Sequence, residues 1–414
     1  MGTPSPPRRS RRRWAALAIA LVGLAVGSVA VAAEVVSPTD LAGTRDFERP
    51  ANSLTGASTS SFTTSELCLA SGHPGTLFDF EPGGFIGADY QRSIQLPDGR
   101  TLWTFQDAAW GNGAGGFRVV HNIGAIQDGP CYRLLVGGSP TSPRSWLFTG
   151  DTAPGSRWFW PLDAAIGADG DIYGFMAEMR EFGDEYLDRT EPMGTFVAGV
   201  DADTLAVDFL GRPSDASPAL YGWSITSDHA WTYLYAQCHR QFGYDPWIFE
   251  LGHDLSCAAA VTLARVPRGF VFDRPEYWDG ARWTPDPTRA AAVFSTSGRL
   301  ANPVDVVFHN NRFHAVTKVH DWWGDEIIVE RADRPFGSFE TVARWIETPK
   351  CPVDCNTYYA SFSASTDPDV LLLGLSHNRW DGVPTSFYRP TFRPFTVPAS
   401  QPRPADRCAA DHCD

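Results

Sequence analysis

Residues 87–110 read GADYQRSIQLPDGRTLWTFQDAAW. This stretch is two antiparallel strands joined by a tight turn. Pro97-Asp98-Gly99 makes the turn, because Pro fixes φ and Gly tolerates positive φ. Tyr90, Arg92, Ile94 and Leu96 share one face of the first strand. Leu102, Trp103, Thr104 and Phe105 form a hydrophobic second strand. Each strand ends, away from the turn, in an acid: Asp89 and Asp107. Antiparallel pairing brings those two ends together.

Composition sets the class. The chain has 414 residues with 15 Trp, 38 Gly and 32 Pro, and 13% of it is aromatic. Gly, Pro and aromatics are spread throughout and long helical patterns are scarce, which predicts an all-β protein. The net charge is -14, and five Arg in the first 33 residues leave -19 for the remainder. So acidic a chain has no electrostatic footprint for nucleic acid.

The N-terminus predicts export. Arg8, Arg9, Arg11, Arg12 and Arg13 precede an apolar run from Trp14 to Val29, and Ala30-Val31-Ala32 fits a cleavage site before Ala33. Residues 1–33 therefore read as a signal peptide, or as an anchor if uncleaved, since the run nearly spans a bilayer. Either form places the rest secreted or on the outer face of the membrane. Residues 34–66, rich in Ser, Thr, Ala and Pro, read as a flexible linker. Residues 67–397 read as one domain and 398–414 as a polar, Pro-rich tail. Export permits disulfides. Pairing near neighbours among the 8 Cys gives Cys238–Cys257, Cys351–Cys355 and Cys408–Cys413, which leaves Cys68–Cys131. Cys351-Pro-Val-Asp-Cys355 has no second ligand pair nearby, which argues against zinc.

A loose repeat of strand, polar turn and strand runs through the domain. After the opening hairpin come Val119–Ile126 with Tyr132–Val136, Trp158–Ile166 with Ile172–Met176, and Tyr221–Ile225 with Trp231–Tyr235. Pro303–Phe308 with Phe313–Thr317 makes a fifth unit, and Tyr358–Phe362 with Val370–Ser376 follows as a last pair. Spacings of roughly 40–80 residues suit propeller blades with insertions. The fold expected is a five-bladed β-propeller, with a β-sandwich as the competitor.

The opening stretch resembles the first blade of five-bladed propeller glycosidases, nearest to the bacterial endo-D-arabinanase group, glycoside hydrolase family 183. The shared features are a Gly-Ala-Asp entrance, an Asp-Gly-Arg turn and a strand ending in Asp. His121-Asn122, Trp160-Pro161-Leu162-Asp163 and Ser376-His377-Asn378 resemble patterns in later blades of that group. The resemblance spans about residues 75–395. Gln106 stands before Asp107 where members often have Gly. The broader relatives act on arabinans, xylans and fructans. The resemblance implies hydrolysis of a furanosidic, arabinan-type wall polysaccharide. It also implies a general acid from a Glu on a middle blade, for which Glu178 is the candidate.

Asp89 and Asp107 are the leading catalytic candidates. Glycoside hydrolysis needs one carboxylic acid for the leaving oxygen and one carboxylate for water or carbon. Substrate contacts are expected from His121, Asn122, Trp160, Asp163, Asp305, Tyr359, His377 and Asn378. Aromatic faces pack on sugar rings, and carboxylates, imidazoles and amides bond hydroxyls. Trp322-Trp323 and Tyr358-Tyr359 are paired aromatics that suit a groove or a core. His239, His309, His314 and His320 show no metal-ligand spacing, so no metal and no cofactor is expected; the resemblance leaves open a central cation held through a His, as in some five-bladed glycosidases. No Gly-x-Ser-x-Gly elbow, His-Glu-x-x-His motif or dinucleotide fingerprint occurs. The expected protein is a monomer acting on a polysaccharide. The alternative is a non-catalytic carbohydrate-binding or surface-interaction propeller, since fold does not imply activity.

Overall fold

The computed structural model describes residues 61–63, 66–79, 84–111, 117–139, 141–147, 157–181, 190–213, 219–238, 261–294, 304–319, 326–347, 355–365, 367, 369–379 and 389–398. The segment 1–33 expected to be a signal or anchor, most of the linker, residues 399–414, Trp322-Trp323, His239 and His320 lie outside them. The described residues fall within the unit Phe47–Asp414.

The described chain is all-β, in a propeller-like arrangement of antiparallel sheets. The first sheet has eight strands, and the next three have four, five and four. The fifth has three: Cys355–Ala364, Val370–Arg379 and Thr391–Thr396. The second sequence unit is not a sheet of its own. Phe117–Asp128 pairs directly with Thr101–Gly111 of the opening hairpin, so both units build the first sheet. The last predicted pair forms the fifth sheet instead.

The strands nearest the axis close a ring. Arg92–Gln95 contacts Arg157–Ile166, which contacts Ala219–Ser227. Contacts continue through Asp305–His309 to Cys355–Ala364, which returns to Arg92–Gln95. Polar side chains latch each sheet to the next. Asn122 Nδ2 donates to Phe159 O at 2.7 Å, and Gln106 Nε2 to Pro161 O at 3.0 Å. Asp163 Oδ2 accepts Ile225 N–H at 2.6 Å. Ser224 Oγ accepts Val306 N–H at 2.8 Å, and Asp305 Oδ2 accepts Phe362 N–H at 2.6 Å. Ser376 Oγ accepts Tyr90 N–H at 3.0 Å and closes the circle. Inner-strand backbone groups that face the axis have no strand on that side, so side chains satisfy them.

Arg92 lies at the middle of this ring and is buried. Its Nε donates to Leu162 O at 3.1 Å and its Nη2 to Trp223 O at 2.9 Å. Its Nη1 lies 2.8 Å from Asp305 Oδ1, and its guanidinium sits 4.6 Å above the Tyr359 ring. One side chain from the first sheet therefore touches the other four. Apolar residues fill the space between neighbouring sheets. Leu102, Ile126 and Leu135 of the first sheet pack with Phe159, Met176 and Phe196 of the second.

Cys68 and Cys131 form the expected disulfide, directly across the strand pair Leu67–Cys68 and Cys131–Ser139. The other three expected bridges involve side chains outside the described residues.

Arg92→Met should cost about 3–5 kcal/mol, because it leaves the buried Asp305 carboxylate without its cation. A urea midpoint equal to wild type would show that the ring is held elsewhere.

Candidate active site

The site grows from the first sheet's register. Gly87 pairs with Ala109 and Ala88 with Ala108, so Asp89 arrives beside Asp107. Asp89 N–H donates to Asp107 O at 3.0 Å, and Gln106 N–H to Asp89 O at 3.1 Å. Tyr90 then turns out of the ladder with φ +46°. Regular pairing resumes at Arg92 opposite Thr104. Asp107 is not a strand end, because its strand continues to Gly111.

Both carboxyls are buried, at 6% and 5% relative exposure. Asp89 Oδ1 accepts Asp107 N–H at 2.8 Å, and its Oδ2 accepts the Tyr358 hydroxyl at 2.8 Å. Asp107 Oδ1 is bonded twice, by Trp160 Nε1 at 2.8 Å and by His121 Nδ1 at 2.6 Å. No hydrogen bond from the described residues reaches Asp107 Oδ2. Burial, reinforced by the charge of Asp107, pushes Asp89 well above the ordinary carboxylate range. Two acids thus sit side by side with unequal surroundings.

Aromatic rings wall the pair. Trp158 stacks on His121 with centroids 4.7 Å apart and meets Trp160 edge-on at 6.0 Å. Tyr90 stacks on Tyr359 at 4.6 Å and leans on Tyr358 at 5.5 Å. The Trp158 indole N–H and the Tyr359 hydroxyl are buried without a partner among the described residues. Such groups are costly in a closed core and useful facing a polar ligand.

Several expected ligands are committed elsewhere. Asn122 spends its amide on Leu147 and Phe159 backbone, and its φ is +49°. Asp163 accepts Ala164 N–H at 2.9 Å besides Ile225 N–H. Desolvation pushes its carboxyl up to about 7, against the pull of Arg92 and with the push of Asp305. Asp305 is occupied by Arg92, Ser224 and Phe362. These three hold sheets together rather than present groups to a sugar. His377 lies between Thr357 and Thr391 hydroxyls, at 2.8 and 2.7 Å, within the fifth sheet. The Asn378 side chain lies outside the described residues, and its backbone pairs with Asn356.

Glu178 does not face the pair. It lies opposite Phe159, whereas Trp160 lies opposite Ala177. Adjacent strand residues point to opposite faces, so Glu178 and the Asp107-bonded Trp160 are on different sides of the second sheet. Glu178 is buried amid three arginines: Arg212 at 3.0 Å, Arg180 at 3.3 Å and Arg157 at 3.6 Å. That cluster neutralises it as a structural ion group.

The structure therefore gathers Asp89, Asp107, His121 and Trp160, and adds Tyr358, Trp158 and Tyr90. Their signal in sequence is register: Asp107 and His121 are equidistant from the ends of one hairpin, Gly111 and Phe117. A separate apolar cavity between the first two sheets is lined by Leu102, Ile123, Trp146 and Met176, and neither Asp89 nor Asp107 lines it.

Residues 78–393 match the family described as DUF5005, a domain of unknown function. Comparison with curated proteins gives no significant match. Among solved structures, a candidate hydrolase from Bacteroides ovatus ATCC 8483 superposes with TM-score 0.57 at 16% identity. It covers 89% of this chain and 99% of that one. This likeness establishes a shared fold. A GH43_1 enzyme from Xanthomonas citri, complexed with xylotriose, gives TM-score 0.46 at 15% identity over 75% of this chain and 87% of that one. CoXyl43, a GH43 β-xylosidase/α-arabinofuranosidase from a compost metagenome, gives 0.44 at 12% over 75% and 91%. The chain belongs to the DUF5005 family.

Asp89 has a raised folded-state pKa. Its contribution to stability is full below its unfolded value and is lost as pH rises through the folded one. Wild type should therefore lose stability between pH 4 and neutrality more steeply than Asp89→Asn. Urea titrations of both proteins across that range test this, and parallel curves would refute it.

Proposed function

We propose that this DUF5005 protein is an exported glycoside hydrolase acting on a furanosidic, arabinan-type polysaccharide. The observation that carries the reading is the juxtaposition of Asp89 and Asp107 within an aromatic wall. Asp89, desolvated and facing a like charge, holds a proton where ordinary carboxylates have lost theirs. It is the general acid for the departing glycosidic oxygen. Asp107 has one oxygen fixed by two N–H donors and one oxygen that no hydrogen bond from the described residues reaches. Its Oδ2 is the base or nucleophile.

The description of the Bacteroides ovatus relative as a candidate hydrolase supports this reading, as does the opening motif. The ring of inner strands fits five blades, with the three-stranded fifth sheet as the closing one. The basic and apolar N-terminus supports secretion or anchoring on the outer face.

Incubation with arabinan, arabinogalactan and xylan, followed by product analysis, tests the function. Oligosaccharides should be released from arabinan. Asp89→Asn and Asp107→Asn should each lower the rate by about 10²–10⁴-fold while the fold stays intact. Wild-type turnover in either variant would remove it from the mechanism. Binding without release would favour the non-catalytic carbohydrate-binding reading.

A further inference from the structure

We infer that His121 is a positioning residue for Asp107, and that its imidazole is not a sugar contact. This rests on Asp107 being a reacting group. Hairpin register sets His121 directly opposite Asp107, so both side chains leave the same face of the first sheet. His121 Nδ1 lies 2.6 Å from Asp107 Oδ1. Trp160 Nε1 donates to that same oxygen from the second sheet. An acceptor holding two N–H groups in different directions cannot rotate without breaking one of them. The carboxylate plane is therefore set, and Oδ2 is the oxygen turned to the reaction.

The imidazole is itself held. Trp158 lies against its face, with an interplanar angle of 18°. A half-turn of the ring would put carbon where Nδ1 now meets Asp107. The bond to a carboxylate requires the proton on Nδ1. His121 keeps 22% of its side chain exposed, against 7% for Asp107.

Two amide replacements separate the roles. His121→Asn places an N–H near the Nδ1 position and keeps the bond to Asp107. His121→Gln places one near Nε2 and loses that bond. With soluble arabinan as probe, His121→Asn should stay within about fivefold of wild-type kcat. His121→Gln should fall about 10–100-fold in kcat with KM unchanged, the scale of a misplaced reacting group. Wild-type kcat in His121→Gln would overturn the assignment. So would a raised KM with unchanged kcat in both variants, which marks a substrate contact.

A second readout needs no substrate. The downfield proton resonance of His121 Nδ1–H should move upfield in Asp107→Asn, because the acceptor loses its charge. An unmoved resonance overturns the positioning role. If that shift occurs but no polysaccharide is cleaved, it is the hydrolase reading that fails.

Discussion

Arg92 is the constraint on which the structure depends. A guanidinium has a rigid fork of donors, and here each arm reaches a different sheet. It meets carbonyls of the second and third sheets, the Asp305 carboxylate of the fourth and the Tyr359 ring of the fifth. A buried charge is tolerated only when paired and hydrogen-bonded. The positions of those partners are therefore set by one another. The inner strands of the other four sheets must each come within reach of this one side chain.

That anchorage also bears on the site. Asp89 is three residues from Arg92 in the same segment, and Tyr90 between them lies on Tyr359, the ring that also carries the guanidinium. The acid therefore rides on the arginine's anchorage. Asp107 is steadied independently, from the neighbouring strand and from the second sheet. One acid is tied to the end of the chain and the other to the middle. The two can be held in unlike surroundings although they are backbone neighbours across a ladder.

The opening hairpin was legible because turn chemistry and alternation are local. Pro97-Asp98-Gly99 and the Trp103–Phe105 run leave few alternatives, and the adjacency of Asp89 and Asp107 follows. Blade assignment was harder. Tyr132–Val136 and Val119–Ile126 repeat the same strand–turn–strand pattern as later units, so sequence spacing separated strands that hydrogen-bond to the first hairpin. That separation hid the pairing of His121 with Asp107. The polar residues Asn122, Asp163 and Asp305 have the chemistry of sugar ligands. Only tertiary placement shows their oxygens and amides spent on neighbouring backbones. Glu178 misled for a different reason: its face is set by its register opposite Phe159, and its arginines, Arg157, Arg180 and Arg212, gather around it only when the neighbouring strands pair.

Tyr358 donates to Asp89 across a sequence separation of 269 residues. Its strand belongs to the fifth sheet, which follows the other four in chain order. Until that sheet docks, Asp89 has only its local backbone bond, and the solvent that would lower its proton affinity still reaches it. Without the fifth sheet Asp89 lacks its Tyr358 donor, while Asp107 already has both of its own, from His121 and Trp160. The surroundings of Asp89 are thus completed from far along the polypeptide, whereas those of Asp107 are completed within the first two sheets.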